Sequence, residues 1–113
     1  MLVLSLKSTI INDNFIRIFM PIPKATRDYI ESLVDYYVAE APSYKQIAQT
    51  FTPEIADMND ATFGIIVGAI YSGFLQTYTA QRQKVSIEDI NEFNEIIKRR
   101  APVIKNAVVG AKI

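Results

Sequence analysis

Neither cysteine nor histidine occurs anywhere in the 113 residues. Without cysteine there is no disulfide, no thiolate nucleophile and no Cys-ligated zinc or iron–sulfur site. Without histidine the chain lacks the commonest general base and metal ligand, which removes Ser-His-Asp hydrolysis and the Glu-x-x-His di-iron bundles. No remaining motif names a reaction. The chain is therefore expected to be non-enzymatic, with no cofactor and no catalytic or metal residues. Net charge is missing too, since 12 Lys and Arg balance 12 Asp and Glu. What is present is ordinary: 50% hydrophobic and 21% charged residues, the composition of one soluble globular domain rather than a disordered chain. A cytoplasmic location is expected. Seventeen isoleucines suggest AT-rich coding or a thermophile, while eleven Asn and Gln argue against an extreme one.

The charges that exist are unevenly placed. Between Lys24 and Asp60 three cations face seven acids, whereas from Lys98 onward five cations meet no acid. Lys98, Arg99, Arg100, Lys105 and Lys112 are thus candidates for contact with nucleic acid or an acidic partner. The plainer reading is a solvated helix end where cations suit exposed carbonyls. An acidic front and a basic tail also suggest self-complementary association.

The first twenty residues differ from the rest. "LVLSL" and "FIRIF" favour strands, with "NDN" at 12–14 as a turn signal, so either a β-hairpin or a loose apolar arm is expected over 1–20. No basic stretch precedes the apolar run and no small-residue cleavage site follows it, which is unlike a signal peptide. Met20 opens "MPIPK" as a second start codon would, so residues 1–19 can also be read as an upstream extension.

Residues 21–113 read as a single all-α domain, a small bundle of four to five helices. Ile30, Leu33, Val34, Tyr37, Val38 and Ala41 recur at spacings of three and four, a stripe on a helix over about 24–41. Pro42 stops it, and Ser43 can cap a short helix through Phe51. Thr52–Pro53 is a further start signal; the next helix runs on to about Gln81 or restarts at Asn59–Asp60. Ser86 and Asp89 form a capping box for a fourth helix with Ile87, Ile90, Phe93 and Ile97 on one face. Pro102 breaks or kinks the chain, and a last short helix ends near Gly110, its apolar side formed by Val103, Ile104, Ala107 and Val108.

Glycine is scarce, yet three of the four lie within residues 64–73, inside a stretch with no charge between Asp60 and Arg82. A membrane-spanning helix needs about 20 predominantly apolar residues. This run thins after Leu75, so it reads as a buried axis rather than a span. Each helical glycine costs roughly 1 kcal/mol relative to alanine. The small residues Gly64, Gly68, Ala69, Ser72 and Gly73 are therefore expected at a close helix crossing, within the domain or across a homodimer.

Two constellations are weaker. A helix-turn-helix over "YKQIAQTF" and "EIADMND" would present an acidic recognition helix, which phosphates repel. Glu88, Glu92 and Glu95, with Asp89 adjacent, could meet magnesium or calcium, but no second ligand cluster follows. They read better as a solvated face, with Lys84–Glu88 and Glu95–Arg99 as i, i+4 pairs.

Arg82, Val85, Asp89 and Ile90 in "RQKVSIEDI" resemble the loop and helix start that follow the long central helix of histone-fold proteins. The segment from Pro53 to Gln81 is also about the length of that helix. The resemblance implies a handshake dimer and an ion pair between Arg82 and Asp89. The leading expectation is a homodimeric interaction or assembly module, with no membrane span. The alternative is a nucleic-acid-associated, histone-like or other protein that uses the basic C-terminal segment.

Overall fold

The computed structural model describes residues 22–113, so the hairpin, arm and upstream-start expectations for the preceding segment lie outside the described residues. Among the described residues there are four helices and no strand: α1 Lys24–Ala39, α2 Ala41–Thr50, α3 Met58–Ala80 and α4 Ile87–Gly110. The all-α bundle with a long glycine-containing central helix is what the periodicities predict. α3 packs against each of the other three helices.

α1 buries Ile30 and Val34 fully, with Leu33, Tyr37 and Val38 partly covered on the same stripe. It ends at Ala39, and after the single residue Glu40 the chain turns into α2, whose first turn holds Pro42. Proline suits that position because its missing N–H would have no helical partner there. Ser43 lies inside α2 rather than capping it, and its N–H donates to the Glu40 carbonyl at 3.0 Å.

Thr52–Pro53 does not start α3. Residues 51–54 form turns around a cis Thr52–Pro53 bond, and the helix begins at Met58. Asp57 caps it by accepting from the Asp60 N–H at 2.9 Å. At the other end α3 is closed by a left-handed residue, Arg82, at φ 55°. The Arg82 N–H reaches the Thr79 carbonyl at 3.0 Å and the Gln83 N–H the Tyr78 carbonyl at 2.8 Å. This is a Schellman closure with arginine where glycine is usual.

Pro102 does not divide α4, which is one helix of 24 residues. A proline inside a helix costs about 3 kcal/mol. Here Pro102 sits on the exposed side, while Ile97, Ile104 and Val108 are buried on either side of it. Full burial of such a side chain contributes about 1.5–3 kcal/mol, so together the three outweigh the proline.

The core runs through Ile66, Ile70 and Phe74 of α3 and Phe93, Ile96, Ile97 and Ile104 of α4. The Phe74 and Phe93 rings stack at 4.8 Å, and Tyr71 meets Phe93 edge-on at 5.3 Å. Thr62, also buried, is satisfied by donating from Oγ1 to the Met58 carbonyl at 2.7 Å. Ile22 is fully buried ahead of α1, and both its backbone groups are held. Its N–H donates to Glu92 Oε1 at 3.2 Å, and its carbonyl accepts from Arg27 Nη1 at 2.8 Å.

The glycines divide. A Cβ on Gly73 would lie 2.7 Å from Leu33 Cδ1, so this is the close α1–α3 crossing. We predict that Gly73→Leu lowers stability by about 1–3 kcal/mol through overpacking. An unchanged melting temperature would mean that α1 and α3 do not meet there.

Where α1 and α2 join, Tyr44 lies with Tyr37 at a ring distance of 5.4 Å. Burial first, then the neighbouring Tyr37, Tyr36 and Glu40, holds the Tyr44 hydroxyl above its ordinary pKa of 10.0. A raised value favours the neutral form in the folded state. The corresponding stability is therefore present below pH 10.0 and is lost as pH rises through the folded value. Melting temperature measured against alkaline pH should fall less steeply for Tyr44→Phe than for the unaltered chain; parallel curves would remove Tyr44 from the account.

Candidate interaction surface

Gly64 and Gly68 lie on the opposite side of α3 from its buried residues. A Cβ at either position would meet nothing within 4 Å, and both glycines are exposed together with Ser72. Ala69 is half-buried between this strip and the Gly73 crossing. The expected close packing at Gly64 and Gly68 therefore does not occur inside the described chain. Spacing alone could not decide this, because α3 is apolar all round and any of its faces could have been the covered one.

Beside the strip runs a groove of about 480 Å³ between α3 and α4. Phe63, Val67 and Tyr71 form one wall with Gly64 and Gly68 at its lip; Ile90, Phe93 and Asn94 form the other. The walls carry no charge. α4 meets α3 through the Phe74–Phe93 stack, while Ile90, nearly one turn earlier, stays only half-buried. A second hollow, of about 400 Å³, lies between the start of α3 and the end of α4. Asp57, Asp60 and Lys105 surround it, over Phe63 and Val108.

The basic tail is not one patch. Arg100 reaches back to α1, donating to Glu31 and, at 2.8 Å, to Asp35. The Asp35 hydrogen bond first, then Glu31, holds the guanidinium pKa above its usual value against the opposing effect of burial. Lys98 pairs with Glu95 at 3.8 Å, so Glu95 faces Lys98 rather than Arg99. Arg99, Lys105 and Lys112 make no ion pair among the described residues. The acidic stripe is likewise divided, with Glu92 drawn to Arg27 at 3.5 Å and to the Ile22 N–H. No three carboxylates gather to hold a metal among the described residues.

Sequence reasoning missed Lys45. Its Nζ donates to the Val108 carbonyl at 2.9 Å and the Ala111 carbonyl at 3.1 Å, closing the C-terminus of α4 from α2. A lysine more than 60 residues away leaves no local signal for such a cap.

Arg82 and Asp89 do not pair. Arg82 is exposed at its helix-closing position, and Asp89, only 2% exposed, accepts from the Tyr78 hydroxyl at 2.7 Å through Oδ2. The Ser86 cap is present, Oγ accepting from the Asp89 N–H at 3.1 Å. The reciprocal half of the box is absent, and Asp89 Oδ1 is buried without a hydrogen-bond partner. A double-mutant cycle with Tyr78→Phe and Asp89→Asn should show coupling of roughly 0.5–3 kcal/mol, whereas Arg82→Ala and Asp89→Ala should be additive. Coupling at Arg82 would restore the ion pair that the histone-fold resemblance implies.

One helix among the described residues, α3, is long and apolar enough to cross a membrane by length and composition, and 28% of its apolar window is buried in the bundle. Comparison with protein-family models, curated proteins and solved structures returned no match to this chain.

Proposed function

We propose that the chain is a non-enzymatic helical interaction module that pairs with a second copy of itself through the outer face of α3. One observation carries this reading. Gly64 and Gly68 face open space on an uncharged helix surface, where alanine would fit and would favour the helix by roughly 1 kcal/mol each. The described chain obtains nothing in return for that cost. A second helix lying along the strip would, because small side chains let two backbones approach closely. Two copies present the same uncharged strip, which suits a two-fold contact in which each surface meets its own image. On this reading α3 is the axis of a bundle and of a dimer, and it does not cross a membrane.

The unpaired Arg99, Lys105 and Lys112 favour a second reading, in which nucleic acid binds the end of α4. The engagement of Arg100 by α1 weighs against it, since the most clustered basic run loses a member.

Gly68→Leu tests the first reading. The bulky side chain has room in the monomer but stands where the second copy would approach. The unaltered chain should sediment as a dimer, and Gly68→Leu as a monomer with its helical circular dichroism intact. If both sediment alike, this face is not the contact. DNA retention that falls steeply with salt and is lost in a Lys105→Ala, Arg99→Ala variant would favour the second reading instead.

A further inference from the structure

We infer that the two copies pair antiparallel, so that the basic end of each α3 meets the acidic end of the other. The inference rests on the reading of the Gly64–Gly68 strip as the self-association surface and adds the direction in which the second copy lies. Two-fold symmetry alone leaves that direction open, because identical helices can lie side by side either way. The strip leaves it open as well. From Ala61 to Gln81 the chain carries no charge, so the ends of α3 decide.

Those ends are opposite in sign. Glu54, Asp57 and Asp60 stand exposed at the entrance, and Asp60 lies one turn before Gly64 on the same side of the helix. Arg82 and Lys84 stand exposed at the exit. None of the five makes an ion pair among the described residues. Each end has one countercharge near it: Lys105 across the hollow beside Asp57 and Asp60, and Glu88 in the first turn of α4. Neither pairs with these residues, and neither reverses the sign of its end. Copies running the same way would set acid against acid at one end and base against base at the other. Antiparallel copies set each end against its opposite.

The length of α3 fits this contact. With Gly64 of one copy opposite Gly68 of the other, the two-fold axis passes level with Ile66. At about 1.5 Å per residue, Met58 then lies about 12 Å to one side of the axis and Ala80 about 21 Å to the other. Each exit therefore overhangs the facing α3 by about 9 Å. The overhang carries Arg82 and Lys84 toward the turn at 51–57, where Glu54 and Asp57 of the second copy are exposed.

The absence of native cysteine makes the first test direct. A nitroxide is attached at Gln81→Cys in the full chain, and the distance between labels is read by pulsed electron paramagnetic resonance. Antiparallel copies should hold the labels about 45 Å apart by helix rise. Copies running the same way, with axes about 8–10 Å apart at the crossing, would hold them within about 25 Å. A short distance overturns the direction and leaves self-association standing. No distance at any concentration, or one that persists in Gly68→Leu, overturns the strip reading and this inference with it. The second test is sedimentation at low salt, where exposed charges are least screened. Glu54→Lys with Asp60→Lys, or Arg82→Glu with Lys84→Glu, should raise the dissociation constant several-fold. All four changes together should restore it, because the signs are then exchanged rather than matched. Equal values in every chain, or no recovery in the fourfold variant, overturn the pairing of unlike ends.

Discussion

A helix of 23 residues without a charge from Ala61 to its end sets the terms for the rest of the molecule. Left alone in water, α3 would expose apolar surface on every side, so the other helices are placed to cover it. α1 and α2 take one flank, where Gly73 admits Leu33; α4 takes the other through the Phe74–Phe93 stack. Three helices cannot enclose a fourth completely. What they leave is the outer strip, uncharged because α3 is, and the groove at its edge, to which α4 adds the uncharged Ile90, Phe93 and Asn94.

The electrostatics serve the same arrangement. The acidic front and basic tail could have served a partner. Instead Arg100 of α4 is held between Glu31 and Asp35 of α1, which ties together the two helices that flank α3. Arg100 stays charged beyond its ordinary titration range, so the guanidinium half of this tie is kept as pH rises. Lys45 fixes the far end of α4 in the same manner. Arg27 and Glu92 do so at the entrance, with the Ile22 backbone bridged between them. Half-exposed pairs of this kind add little stability individually. Their value is in orientation: they set how α4 lies on α1 and α2.

What could be read from the sequence was local. The α1 stripe, the Ser86 cap and the restart near Asn59 each depend on residues a few positions apart, and each is present in the fold. The misreadings arise where a distant or backbone effect prevails over a local sign. Pro102 looks like a stop, but the burial of Ile104 and Val108 carries the helix through it. The histone-fold resemblance implies an ion pair between Arg82 and Asp89, but Tyr78 from the preceding helix takes the carboxylate, and Arg82 has a backbone task. The Arg100 and Lys45 contacts join residues more than 60 apart and had no trace in spacing. On an amphipathic helix the apolar stripe tells which side is inward. α3 has no such stripe, so the direction in which its glycines face was set by tertiary packing alone.

The glycines of α3 therefore separate two uses of one residue. At Gly73 the missing side chain is filled by Leu33, and the helix-propensity cost is offset inside the fold by packing that alanine would crowd. At Gly64 and Gly68 the same cost, about 1 kcal/mol each, meets no contact among the described residues. Marginal stability makes two such uncompensated positions side by side a substantial fraction of a small domain's total. A bare helix surface that costs stability and carries no charge has to be explained by what lies against it. A surface serving only solubility would be served better by lysine or glutamate, both of which also favour the helix. On the reading proposed above, close apposition of another backbone, the same helix of a second copy, explains the strip.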